Sequence, residues 1–121
     1  MLSHEDLLFI EPKNAGASAA LIDSATRRMT AAFRHAEAIQ PYYCGFHVCV
    51  CGACSDTQDF RLPNDRKTNS LCVHYLAYHR DEVPIDQLQE VERLPFGEAE
   101  PSEQELKGMR LARRGSNESA S

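Results

Sequence analysis

The hydrophobic patterning of the chain predicts an α+β fold in one small domain, on three observations. Residues 17 to 40 place Leu21, Ala25, Met29, Ala32, Ala36 and Ile39 at the spacing of an amphipathic helix. From Pro41 the texture changes to β-formers and glycines, in YYCGFHVCVCG. Two further helical stretches follow, one after residue 70 and one after Pro84. A length of 121 residues, 42% hydrophobic and without Trp, suits one domain with a lean core that a covalent or metal staple would help.

Taken in order, the first helix has Asn14 or Ser18 as candidate caps and Pro41 as its stop. Tyr43, Phe46, Val48 and Val50, with Gly45 and Gly52 for turns, predict a short hairpin that carries cysteines. Residues 55 to 69 are polar around Phe60 and Leu62, with a tight turn expected at Pro63-Asn64-Asp65. Thr68, Asn69 and Ser70 offer caps to a second helix, LCVHYLAYHR, running to about Arg80. Pro84 opens a third, with Ile85, Leu88, Val91 and Leu94 as its inward stripe. The expected organisation is an N-terminal segment over 1–16, one domain over 17–95, and a linker-like, disordered tail over 96–121 with at most a frayed helix near 102–113.

Glu5 and Asp6 precede an apolar run of only Leu7 to Ile10, which lacks the basic start and length of a signal peptide, and no stretch reaches the length of a membrane span. A cytoplasmic address follows as the expectation. There thiols stay reduced, and five cysteines, an odd number, suit metal ligands plus a spare better than a disulfide framework. Net charge is −5, concentrated in an acidic stretch from Asp81 to Glu105 in which Arg93 is the lone base. That acidity argues against a tight, non-specific grip on nucleic acid and favours a protein partner. The nucleic-acid alternative leans on Arg61, Arg66, Lys67 and Arg80, with a basic stretch from Lys107 to Arg114 behind them.

Residues 49 to 79 gather Cys49, Cys51, Cys54, Cys72, His74 and His79. Zinc is held by four thiolate or imidazole ligands in a tetrahedron, and a turn plus a helix start supplies them economically. Cys49 and Cys51 form C-x-C, and Cys72 and His74 form C-x-H after a gap of twenty residues. This pattern resembles the SWIM-type zinc finger. The resemblance implies a β-hairpin presenting the first pair, a helix presenting the second, a role in binding DNA or proteins, and no catalysis.

Helix geometry leaves rivals open. Residues two apart in a regular helix point about 200° apart, so Cys72 and His74 share an ion only if Cys72 precedes the helix proper. If the helix already runs through Cys72, His79 becomes its better partner. Cys51 and Cys54 with His74 and His79 form a C2H2-like set with a nineteen-residue gap, and Cys51, Cys54 and Cys72 with one histidine form a third. His47 lies on the strand face of Cys49 and Cys51 and is an alternate ligand or supporting group. Cys44 reads as structural, Asp56 and Asp59 as solvated loop acids, and Tyr75 and Tyr78 as packing residues. The expectation is one structural Zn2+ per chain.

Enzymatic readings fit less well. His35-Ala36-Glu37 and Cys51-Gly52-Ala53-Cys54 together resemble the cytidine-deaminase signature, but Val50 stands where that family has Pro, and thirteen residues between Glu37 and Cys51 are too few for the intervening structure. His35 and Glu37 also read as an ordinary pair on the first helix. A thioredoxin-like role for CGAC needs a helix after the first cysteine, and a polar loop follows instead. A binding module without catalysis is therefore expected.

Overall fold

Two tertiary contacts set the start of the first helix, α1, Ser24–Arg34. The carboxylate of Asp23 accepts from the Thr26 amide at 3.2 Å and takes a two-pronged bond from Arg80, at 2.7 and 3.0 Å. The residues just before it donate elsewhere, Ala17 N to the Tyr78 carbonyl and Leu21 N to that of Ala77, both at 2.8 Å. Their amides satisfy the C-terminal carbonyls of another helix instead of extending α1. A computed structural model shows this arrangement and describes residues 6–39, 48–55 and 59–108.

The helix expected over 17–40 is thus shorter at both ends. His35 is its C-cap, and Glu37–Ala38 leave it to become β1. β1 pairs antiparallel with β2, Phe60–Arg61, and β2 with β3, Lys67–Thr68, in the order β1-β2-β3. The expected turn at 63–65 joins β2 to β3: Leu62 N donates to the Arg66 carbonyl at 2.8 Å, with Asp65 at φ 70. Phe60 and Leu62, the two apolar residues of that polar stretch, are what the hairpin buries.

The second helix, α2, is Cys72–Tyr78, preceded by an Asn69 side chain that accepts from the Leu71 amide at 2.8 Å. A 3-10 turn at Arg80–Glu82 leads to α3, Ile85–Glu92. Val91 and Leu94 face inward and Leu88 is partly buried, but Ile85, the first residue of α3, is 69% exposed. The core joins Met29, Ala32 and Phe33 of α1 to Val73 and Leu76 of α2, with Phe33 edge-on to Phe60 at 5.1 Å. Burying each large side chain here contributes about 1.5–3 kcal/mol.

The core reaches beyond 17–95 in both directions. Leu7 and Leu8 are fully buried, and Leu7 N donates to the Lys67 carbonyl alongside β3 at 2.7 Å. On the other side, Glu103–Leu106 form a short helix, α4, started by a capping box between Ser102 and Glu105. The Glu105 carboxylate is 1% exposed and receives both Nε and Nη2 of Arg34, at 2.9 and 2.8 Å. A buried ion pair with matched forks, rather than an apolar stripe, docks this segment, so hydrophobic periodicity does not reveal it. Residues 109–121 lie outside the described residues.

Candidate metal centre

The cysteine pair sits on a tight turn. Val48 and Cys54 pair antiparallel, Cys49 N donates to the Ala53 carbonyl at 2.7 Å, and Gly52 N to the Cys49 carbonyl at 2.8 Å. Gly52 closes the turn at φ 100, a conformation that costs a side-chain-bearing residue but not glycine. The fold directs the Cys49 and Cys51 sulfurs to one side, and the amides of Val50 and Cys51 hydrogen-bond to the Cys49 sulfur. Burial raises the Cys49 thiol above its usual range, and those amide bonds oppose the rise.

The histidine pair comes from the end of α2. His74 is in mid-helix and His79 is the C-cap, five positions on. Within a continuous helix they would diverge by about 140°. At His79, φ −127 and ψ 36 break the helical course, and the rings come to 5.1 Å. Cys49 Sγ then lies 3.1 Å from His79 Nε2, and Cys51 Sγ 3.2 Å from His74 Nε2. All four ligand atoms lie within 4.8 Å of one another. A tetrahedral ion with bonds of about 2.3 Å to sulfur and 2.0–2.1 Å to nitrogen needs S···N separations of about 3.6 Å, which small side-chain rotations reach.

The chemistry of the donors fits a divalent cation of the zinc type. His74 Nδ1 lies 2.9 Å from the Leu106 carbonyl, which can only accept, so Nδ1 carries the proton and Nε2 offers its lone pair to the centre. Burial lowers the basicity of His74 and of His79, which favours the neutral, ligating form of both rings. Two thiolates and two neutral imidazoles would cancel the charge of one such ion.

Neighbouring segments hold both histidines in place. Gly16, at φ 90, lies against the His79 ring, and a Cβ there would stand 2.6 Å from the Tyr78 carbonyl and 2.7 Å from the ring. Arg80, next in sequence, is tied to Asp23. The Leu106 carbonyl that orients His74 is delivered by α4, hence by the Arg34–Glu105 pair. Gly108, at φ 94, ends that segment where a Cβ would collide with Leu71 and stand 3.1 Å from the Cys54 carbonyl, while its own carbonyl accepts from Ser70 Oγ at 2.5 Å.

Of the residues singled out by spacing, the structure therefore brings together Cys49, Cys51, His74 and His79, and leaves Cys72 and Cys54 apart. Cys72 is the first residue of α2, already helical, so its side chain points about 200° from His74 and into the core. Burial pushes its thiol up to about 12. Cys54 is exposed and outside the group, its sulfur 3.6 Å from the Gly52 carbonyl. The grouping joins the C-x-C half of one spacing to the H-x4-H half of another, a combination that neither motif contains. His47, Cys44 and Asp56 lie outside the described residues, and Asp59 is not in the group.

Tyr75 is buried in the core, and Tyr78 lies 5.2 Å ring to ring from His74. His35 stacks on Phe96 and gives its Nδ1 to the Ala31 carbonyl, and Glu37 is in β1, so neither sits within the group. Among the described residues no helix is long and apolar enough to cross a membrane. Comparison of the chain with family models, curated proteins and solved structures finds no match, so the SWIM-like spacing stands as a local pattern only.

Proposed function

We propose that this chain is a small cytoplasmic binding module built around one structural Zn2+, held by Cys49, Cys51, His74 and His79, and that it acts on a protein partner without catalysis of its own. The observation that carries the reading is the convergence of two thiols and two imidazoles, one of them already oriented by a carbonyl behind it. The ion would bind the hairpin at 48–54 to the end of α2, and a structural site of this kind contributes on the order of 10 kcal/mol to folding. Four protein ligands leave no position for substrate, which favours a structural over a catalytic role.

Two features support a protein partner. Val48 and Val50 stand 61% and 55% exposed on the hairpin that carries the ligands. The basic residues of the nucleic-acid alternative are largely engaged: Arg66 with Glu90 at 3.2 Å, Arg80 with Asp23, Lys67 facing Asp6 at 4.0 Å, and Arg61 on the Asp65 carbonyl. Pairing of this kind weakens the positive field that phosphate binding needs. Elemental analysis of purified protein should return one zinc per chain. A titration against random duplex DNA should show negligible affinity, whereas tight binding with a steep salt dependence would favour the nucleic-acid reading.

A further inference from the structure

The four described cysteines occupy different environments. Cys49 and Cys72 are buried, Cys51 and Cys54 exposed. Cys51 alone combines exposure with membership of the ligand group. It also opens onto a pocket of about 370 Å³ walled by Ala15, Ala17, Ala53, Tyr78 and Leu106, with Lys107 at the edge. A small molecule in that pocket can reach the Cys51 sulfur directly, whereas Cys54 is not among the pocket's walls. Cys54 lies three residues further along the same hairpin, across the bend at Gly52, outside the ligand group and equally accessible.

We infer that Cys51 is a modification site for small hydroperoxides, and that Cys54 resolves the product into a Cys51–Cys54 disulfide that releases the metal. The inference rests on the zinc reading and adds regulation to that site. The Cys51 sulfur attacks the terminal oxygen of the hydroperoxide; the O–O bond breaks, the sulfur is oxidised by two electrons to the sulfenate, and the other oxygen leaves as alcohol or water carrying the proton. The Cys54 sulfur then attacks the Cys51 sulfur. The S–S bond forms, the Cys51 oxygen departs as hydroxide with the Cys54 proton, and the peroxide has accepted one electron pair from two thiols. A Cys51 sulfur bonded to Cys54 is no longer a thiolate and cannot remain a ligand. One of four ligands is then lost, and Cys49 and the two histidines form an incomplete site.

The test uses full-length protein whose zinc content is measured first, then titrated with hydrogen peroxide while a chromogenic chelator reads released zinc and fragmentation mass spectrometry maps the linkage. The expected result is one zinc released per disulfide, a Cys51–Cys54 bond, and recovery of binding on reduction and zinc addition. The Cys54→Ser variant should bind zinc as the parent does, but accumulate a dimedone-reactive Cys51 and form no such disulfide. Zinc present at the start with a bond between Cys51 and Cys44 or Cys49, or retention of zinc after Cys51 is oxidised, would overturn the inference and leave the metal reading intact. Protein that folds with no zinc before any oxidant is added would overturn both.

Discussion

Truncating His79 and Cys72 in separate variants distinguishes the ligand set seen in the fold from the set suggested by the C-x-C/C-x-H spacing. His79→Ala removes an imidazole whose Nε2 lies 3.1 Å from the Cys49 sulfur. If a structural site contributes about 12 kcal/mol over four bonds, one ligand accounts for about 3 kcal/mol, or about a hundredfold in zinc affinity. Cys72→Ala removes one fully buried sulfur from the core. Its cost is a small cavity, about 1–2 kcal/mol of stability, with metal affinity unchanged. Cobalt substitution with chelator competition reads both quantities. Cys72→Ala should keep the full thiolate-to-cobalt charge-transfer intensity of the parent, and His79→Ala should keep that intensity at saturation but need about a hundredfold more free cobalt to reach it. Loss of about half the charge-transfer intensity in Cys72→Ala, with parental affinity in His79→Ala, would refute the geometric argument and return Cys72 to the ligand set.

Gly16→Ala should lower zinc affinity by tenfold or more in the same competition assay, because its Cβ would drive into the Tyr78 carbonyl and the His79 ring, whereas Gly52→Ala, with open space around it, should cost only about 1 kcal/mol of stability for its positive φ. Arg34→Met leaves the Glu105 carboxylate buried without its partner and should destabilise by roughly 2–4 kcal/mol in chemical denaturation, the low end reflecting the part-exposed arginine, with Arg34→Met/Glu105→Leu recovering part of the loss. The Arg80 bond holds Asp23 at about 2, below its ordinary 3.8. A lowered carboxylate stabilises the fold above its unfolded value and loses that contribution as pH falls through its folded one, so a stability difference between parent and Asp23→Asn should be full above about pH 4 and shrink toward pH 2 in denaturation melts of the two proteins at equal zinc loading. With Asp23 part-exposed, about 1 kcal/mol is expected, and a difference independent of pH would show that the charge is not what matters.

How much of the site was legible depended on which residues local rules govern. The density of cysteine and histidine between 49 and 79 marks a metal-type centre without any fold, since so many such side chains in a short span are hard to bury otherwise. Turn signals were equally local: the 63–65 turn and the opening of α3 at Pro84 stand where the residue types place them, whereas α2 is capped by Leu71 without a side-chain bond and not by Thr68, Asn69 or Ser70. His79 was visible as an alternate ligand, but not in the company it keeps.

Local chemistry thus determined the α+β class, the position of α2 and α3, and the stretch that holds the candidate centre. Tertiary structure decided the rest, because it sets competing demands on the same groups. Whether Cys72 or His79 joins the cluster turns on where a helix starts and how its last residue departs, and one residue's difference rotates a side chain by about 100°. The first helix stops short because amides at 17 and 21 are claimed by the end of α2 and residues 37–38 by β2. The segment at 102–108 packs because Glu105 meets Arg34, a pairing about 70 residues apart in sequence that only the folded chain brings within 2.8 Å.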